Sequence, residues 1–485
     1  MLFNSFNFWL VFPLIFVVYW AIPTHMNAYR KIYLILVSYL LYMNWRPVYA
    51  LVLLFVTVIT FWGAFVLSTP NKSLRKKILC YVFSIATLAP LFIFKYFNFI
   101  NESVFELLML LGVRFELTGL NWALPVGISF YTFQAIGYMW DVYYERTVRE
   151  HSFINYLLFC SFFPQTASGP ISKPCELLPQ IKANHVFEYE RGRKGLQMLL
   201  WGMFLKVVVA DRLGIFVDTV YQSYTHYAGI TTFNASIFYT IQIYCDFAGY
   251  SLMAVGIGNL LGYDLVNNFN RPYFAATITE FWKRWHISLT RWLTSYVYIP
   301  LGGNRCSKLR CYWNIMVTFL VSGLWHGANW TFVIWGGLHG IFQIVEKSLG
   351  VQKSKQKGIS RLSRIFLTFL LVNFAWILFR SETFGQAIGL ITNIISGSWA
   401  LSKYISDLKD LNPTYFAICL FGIAMLFCKS IVEEVSEERH KKMGVILTGG
   451  GRFYTLLRWI YYIVLGTSIL SIGVLDSGNF IYISF

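Results

Sequence analysis

Residues 48–67 read VYALVLLFVTVITFWGAFVL, a run of 20 without a charge. At 1.5 Å per residue a helix of that length covers about 30 Å, the thickness of a bilayer's hydrocarbon core. Residues 8–22 and 78–94 are uncharged runs on either side of it. Across all 485 residues 56% are apolar, 19% aromatic and only 13% charged. Soluble domains carry about 25% charged residues, so this chain could not clothe a set of soluble cores. The composition excludes a soluble enzyme, a secreted disulfide scaffold and a disordered hub. It predicts an all-α, polytopic membrane protein forming a single integral-membrane domain over residues 1–485.

Helices are expected at 6–22, 31–45, 47–68, 78–98, 124–140, 153–170, 195–217, 233–262, 278–299, 311–325, 328–346, 364–380, 413–430 and 454–475. About eleven of them are read as crossings. The rest are too short, or too rich in Pro and Gly, to cross alone, and are read as re-entrant or interfacial. Residues 1–20 lack a basic start and a small-residue cleavage site, and read as a retained first helix.

The formal net charge is +17. Its basic residues gather in short loops: Lys72, Arg75, Lys76 and Lys77, then Lys347, Lys353, Lys355, Lys357, Arg361 and Arg364. Cytoplasmic retention of such loops explains the excess without a nucleic-acid partner. With those loops inside, both termini face away from the cytoplasm. The eight cysteines show no metal spacing and read as small core hydrophobes.

Residues 311–345 form an uncharged run of 35, about 52 Å as one helix, and must break. The expected place is Ser322-Gly323-Leu324-Trp325-His326-Gly327, which would set His326 at membrane depth on irregular backbone. Such backbone survives only inside protein or against a water-filled cavity. An ionisable residue there is a functional candidate, and an imidazole suits proton transfer near neutral pH. The alternative is a neutral ring donating to a carbonyl freed by the break. His339 is 13 residues further on, rotated about 220° on a continuous helix, and reads as packing or support.

Residues 279–300 (TEFWKRWHISLTRWLTSYVYIP) read as an interfacial amphipathic helix. Phe281, Trp282, Trp285, Leu289 and Trp292 share one face, Lys283, Arg284 and Arg291 the other, with His286 at the boundary. The basic residues could meet lipid headgroups or a phosphorylated acyl donor. Asp246 is a carboxyl in an apolar run and is expected to hold Arg271 or a histidine. No hydrolase elbow, Walker loop or metal motif is present.

These stretches resemble the membrane-bound O-acyltransferases of the bacterial alginate and peptidoglycan O-acetylation type, and more distantly the protein that transfers D-alanine to teichoic acids. The matching stretches are FNSFNFWLVFPLIFVVYW (3–20), LPVGISFYTFQAIGYMWDVY (124–143), FFPQTASGPIS (162–172), QIYCDFAGYSLMAVG (242–256), EFWKRWHISLTRWLTSYVYIPLGGNR (280–305) and GLWHGANWTFVIWGGLHG (323–340). The resemblance implies a helical shell around a funnel through a bacterial cell membrane. It implies His326 as the catalytic histidine, His286 as a second site histidine, and Trp282, Lys283, Arg284, Trp285 and Arg291 around a donor entrance. It implies an acyl-CoA or acyl carrier protein thioester as donor, acetyl above all, with no tightly bound cofactor or metal. It further implies an SGNH-type acyltransferase partner, a polysaccharide as final acceptor, and an aromatic tail whose tyrosine, here Tyr482, carries the acyl group. The tail FIYISF departs from the family's FxYFQF, and Leu252 and Ser295 stand where the family often has Asp. From the residues alone, a transporter of a cell-envelope intermediate remains the alternative.

Overall fold

The computed structural model describes residues 3–68, 73–113, 118–351, 358–438, 452–475 and 481. Those residues form helices joined by turns and loops, with no strand among them. Tyr49–Leu67, Ile359–Arg380, Pro413–Val435, Thr455–Ile472 and the long unit Leu74–Leu110 are long and apolar enough to cross a membrane. Phe6–Ala21 and Thr24–Met43 pass that test only as a pair, and the pair is bent by 106°. Among the described residues these are five or six candidate spans on length and composition, against about eleven crossings expected from sequence. The outer faces are greasy: Leu10, Leu14, Leu40, Leu51, Trp62, Phe366 and Leu367 are all more than half exposed. An apolar perimeter of this kind is a lipid-facing surface.

At the centre runs Gly229–Leu260, a helix of 32 residues, most of them buried. At about 48 Å it outreaches the hydrocarbon core, but it lies inside a shell of other helices and does not face lipid. Its packing depends on small residues. A Cβ on Gly256 would meet the Gly195 carbonyl at 2.7 Å, and one on Gly249 would meet the Gly202 carbonyl at 2.7 Å. The central helix and Tyr189–Met203 therefore touch backbone to backbone. Only paired glycines allow that approach, the usual way apolar helices gain contact where water supplies no drive.

Several expected helices are interrupted: 153–170 is Phe153–Ser161 and Phe163–Thr166, and 78–98 contains a π-helical turn, Phe92–Tyr96. The 195–217 span is Tyr189–Met203, a π-helical turn Phe204–Ala210, and Asp211–Gln222. The 279–300 span is not one amphipathic helix. It is Ile278–Arg284, then Ile287–Leu293, then a π-helical turn Thr294–Tyr298. Its aromatic face is turned inward, with Phe281, Trp282, Trp285 and Leu289 buried. The shorter helices Pro174–Lys182, Phe384–Ser396 and Leu401–Asp410 were not foreseen.

The start of the central helix is fixed by a carboxylate from one of those unforeseen helices. Asp407 is buried and accepts from the Ala228 amide at 2.8 Å and the Thr231 hydroxyl at 2.7 Å, with Lys403 Nζ at 3.0 Å. An anion at a helix N-terminus satisfies orphan donors and meets the favourable end of the dipole. Burial opposes ionisation of Asp407, but these hydrogen bonds and Lys403 outweigh it and hold the carboxyl below its usual range. A depressed pKa contributes stability above the unfolded value, which is lost as pH falls through the folded one. Asp407→Ala should cost about 2 kcal/mol near pH 7, in the range for hydrogen bonds to a charged group. Thermal unfolding in detergent should show the gap to wild type narrowing as pH is lowered from 6 to 3.

Candidate active site

Lys308–His326 and Trp330–Ser348 form a tight helical hairpin. A Cβ on Gly323 would sit 2.3 Å from the Phe332 carbonyl, and one on Gly336 would sit 2.3 Å from the Phe319 carbonyl, so the two backbones are in contact. The break comes later than the sequence suggested. The first helix continues through Ser322 and Gly323 and ends on His326; Gly327 is extended, and Asn329 caps the second helix by accepting from Thr331. His326 is thus the last residue of a regular helix, not part of irregular backbone. The physical reason is that the exposed carbonyls at this end are met from another helix. Lys95 Nζ donates to the Trp325 carbonyl at 2.6 Å and the His326 carbonyl at 3.1 Å, and Tyr96 Oη donates to the Leu324 carbonyl at 2.8 Å. A cation at a helix C-terminus is favoured by the dipole as well. Lys95 and Tyr96 sit in a π-helical turn, Phe92–Tyr96, inside the long Leu74–Leu110 unit.

The His326 ring is 2% exposed and enclosed by aromatic rings. Trp325, Trp335 and Phe379 stand 4.8, 5.1 and 5.3 Å away between centroids, all edge-on. His286 is the next nearest imidazole, 6.4 Å away. It occupies the joint between Ile278–Arg284 and Ile287–Leu293, with φ +42 and ψ +55. That left-handed backbone costs a non-glycine residue about 1–3 kcal/mol and marks functional or over-determined places. Here residues 268–270 impose it. Asn268 accepts from Ile287 N through its carbonyl at 2.9 Å and from Ser288 N through its side chain at 3.2 Å, while Asn270 N donates to the Arg284 carbonyl at 2.9 Å. The segment caps the end of one helix and the start of the next. His286 then packs on Phe247 at 4.7 Å and Trp325 at 5.6 Å.

One space borders His326, and a second reaches its helix. A small cavity of about 20 Å³ is bounded by His326, Lys95, Ser129 and Gly127. Gly127 has φ +72, and a Cβ there would stand 1.9 Å from the Thr166 carbonyl. A larger cavity of about 300 Å³ is lined by Lys283, Lys347, Trp282, Phe319 and Ser322 among others. Ser322 is one helical turn before His326, so this cavity connects a lysine-bearing rim to the histidine's own helix.

Of the other residues singled out by sequence, Trp282 and Lys283 line the larger cavity, and Lys283 is exposed. Trp282 also donates to His339 Nδ1 at 3.3 Å, which places His339 in support of that cavity's wall. Arg284 is held by Glu280 at 2.8 Å and by Glu434 at 3.1 Å, and Arg291 is hydrogen-bonded to Glu176. Neither arginine lines that cavity. Trp285 is fully buried against Phe281 and Trp376, 5.4 and 5.1 Å away. Asp246 does not hold Arg271 or a histidine. Its partner is Lys206 at 2.5 Å, while Arg271 pairs with Glu434 at 3.1 Å. Tyr482 lies outside the described residues. Among those residues no group of three His, Cys, Asp or Glu side chains gathers as a metal site.

Sequence reasoning missed Lys95 and Gly127. Lys95 carried a signal, since it is a lone charge at the end of an apolar run.

Residues 142–388 match the membrane-bound O-acyltransferase family, a span containing both His286 and His326. The chain belongs to that family. It is 36% identical to the "Probable alginate O-acetylase AlgI" of Pseudomonas aeruginosa over 83% of this chain and 78% of the relative. It is 32% identical to the peptidoglycan O-acetyltransferase of Helicobacter pylori over 88% and 89%. A teichoic acid D-alanyltransferase of Streptococcus thermophilus is 26% identical over 52% and 68%. The multi-pass helical architecture and acyl transfer to a hydroxyl accord with this membership, and the transporter reading is not favoured.

Gly127→Ala should prevent stable folding, because its Cβ has no room and its backbone is left-handed. Gly350→Ala has φ +67 but nothing within 4 Å, and should cost only about 1–2 kcal/mol for the conformation. Thermal unfolding of the two variants in detergent separates space from strain.

Proposed function

We propose that this O-acyltransferase passes an acetyl group from a cytoplasmic thioester, acetyl-CoA or an acylated carrier protein, towards a polysaccharide outside a bacterial cell membrane. The observation that carries the reading is that His326 borders one space, shared with Lys95 and Gly127, while a second space, whose rim bears Lys283 and Lys347, reaches Ser322 one turn earlier on the same helix. The lysine rim suits the phosphate of a phosphopantetheine-bearing donor. The names of the relatives supply the acceptor class, alginate in one and peptidoglycan in another.

In the reaction a hydroxyl oxygen attacks the thioester carbonyl carbon while His326 takes the hydroxyl proton. The tetrahedral intermediate collapses with cleavage of the carbon–sulfur bond, and the proton passes to the departing thiolate. The products are an ester and a free thiol. A phenol or alcohol is a poor nucleophile near pH 7 without a base, which is the role given to His326. The first acceptor is Tyr482, whose acyl group an SGNH-type partner then delivers to the polysaccharide. Lys95 holds the end of the helix that presents His326. His286 and the aromatic rings around it keep that site dry and fixed. In this reading the donor side, with the basic loops, faces the cytoplasm and both termini lie outside.

The test uses purified protein in sealed vesicles, with acyl-labelled coenzyme A, then acylated carrier protein, on the side of the basic loops. His326→Ala should lower label transfer by about 10²–10⁴-fold, the usual worth of a general base. Tyr482→Phe should abolish a tail peptide heavier by one acyl group. A folded His326→Ala protein transferring label at the wild-type rate would refute the assignment.

A further inference from the structure

The buried ion cluster around Asp246 is not used by the chemistry above. Lys206 is fully buried in the π-helical turn Phe204–Ala210, with Nζ 2.5 Å from Asp246 and 2.8 Å from Asp211. An ionic group in such surroundings is costly and weak evidence for stability in itself. What it holds is informative. The second oxygen of Asp246 accepts from the backbone amide of Ile481 at 2.8 Å, and the Ile481 side chain packs on the core.

Two further hydrogen bonds bring the same end of the chain to this turn and the residues just after it. Arg212 donates to the Ile472 carbonyl at 2.7 Å, where Arg452–Ile472 ends. Val474 N donates to the Val207 carbonyl at 2.9 Å. Val207 belongs to the π-helical turn, where the ladder loosens and a carbonyl can bond outside its own helix. Between them, a Cβ on Gly473 would come within 3.0 Å of Val207, so a side chain there would press on the turn. One residue along from Asp246, the Phe247 ring lies 4.7 Å from that of His286. The contact to the tail and the contact to the active-site cage therefore come from consecutive residues of the central helix.

We propose that Lys206, Asp211 and Asp246, with the carbonyl of Val207, form a clamp for this chain's own C-terminal segment, and that Asp246 is a positioning residue for acyl transfer. The inference rests on the proposed role of the residue after Ile481. Lys206 orients the Asp246 carboxylate so that one oxygen is spent on the ammonium and the other is left for a main-chain donor. Because the contact is to a backbone amide, it sets where the tail lies without depending on the side chain at 481.

The test is carried out on the full chain in lipid nanodiscs. Ile481→Pro removes the amide proton and Ile481→Val keeps it, with the folding of each variant checked by thermal unfolding. Ile481→Pro should lower kcat for acyl transfer at least tenfold with KM for the thioester unchanged, and Ile481→Val should restore kcat to within twofold of wild type. Hydrogen exchange gives an independent reading: the Ile481 amide should be protected in wild type and exchange at least tenfold faster in Asp246→Ala. That variant still leaves Lys206 paired with Asp211. Equal kcat in the Pro and Val variants, or Ile481 exchange indifferent to Asp246, would overturn the clamp. Full activity in Tyr482→Phe together with Asp246-dependent protection would instead remove the relay and leave the clamp standing.

Discussion

A helix that ends within a membrane protein leaves carbonyls with no partner in their own helix, and the site is organised by how those at Leu324, Trp325 and His326 are met. Lys95 and Tyr96 reach them from the π-helical turn of another helix. An unmet carbonyl in such a place costs several kcal/mol. That solution lets the helix run regularly to His326 and turn back within three residues. It also ties the catalytic candidate to the Leu74–Leu110 unit. The paired glycines of the hairpin complete the arrangement by holding Trp335 and Phe332 against the same end.

The same demand recurs at three other points where a helix breaks, loosens or begins. At His286 the left-handed residue is tolerated because Asn268 and Asn270 satisfy the groups on both sides of it. At Val207 the released carbonyl is taken by Val474. At the start of the central helix Asp407 takes the free donors. Each irregularity is answered by a residue distant in sequence. These answers join the shell of helices into one framework around two histidines.

Much of this was legible in the sequence. Low charge and long uncharged runs gave the helical membrane class, and the 35-residue uncharged run demanded a hairpin beside His326. The motifs around His286 and His326 pointed to acyl transfer, and the family match agrees. The illegible parts are long-range. The 279–300 segment has perfect amphipathic spacing, yet it is broken by asparagines that precede it and bury its aromatic face inward. Asp246 advertised a buried charge without naming its partner, because Lys206 lies 40 residues away in the chain. Lys95 announced itself as a charge in an apolar setting, but only the fold brings it to the end of the His326 helix.

In the proposed mechanism Lys95 acts through His326, by fixing the end of the helix that carries it. A double-mutant cycle measures this directly. Acyl transfer is compared in wild type, Lys95→Met, His326→Ala and the double variant, each checked for folding and insertion. Lys95→Met should slow transfer at least tenfold in the wild-type background and have no further effect once His326 is gone. Equal losses in both backgrounds would contradict the account and give Lys95 a role independent of the histidine.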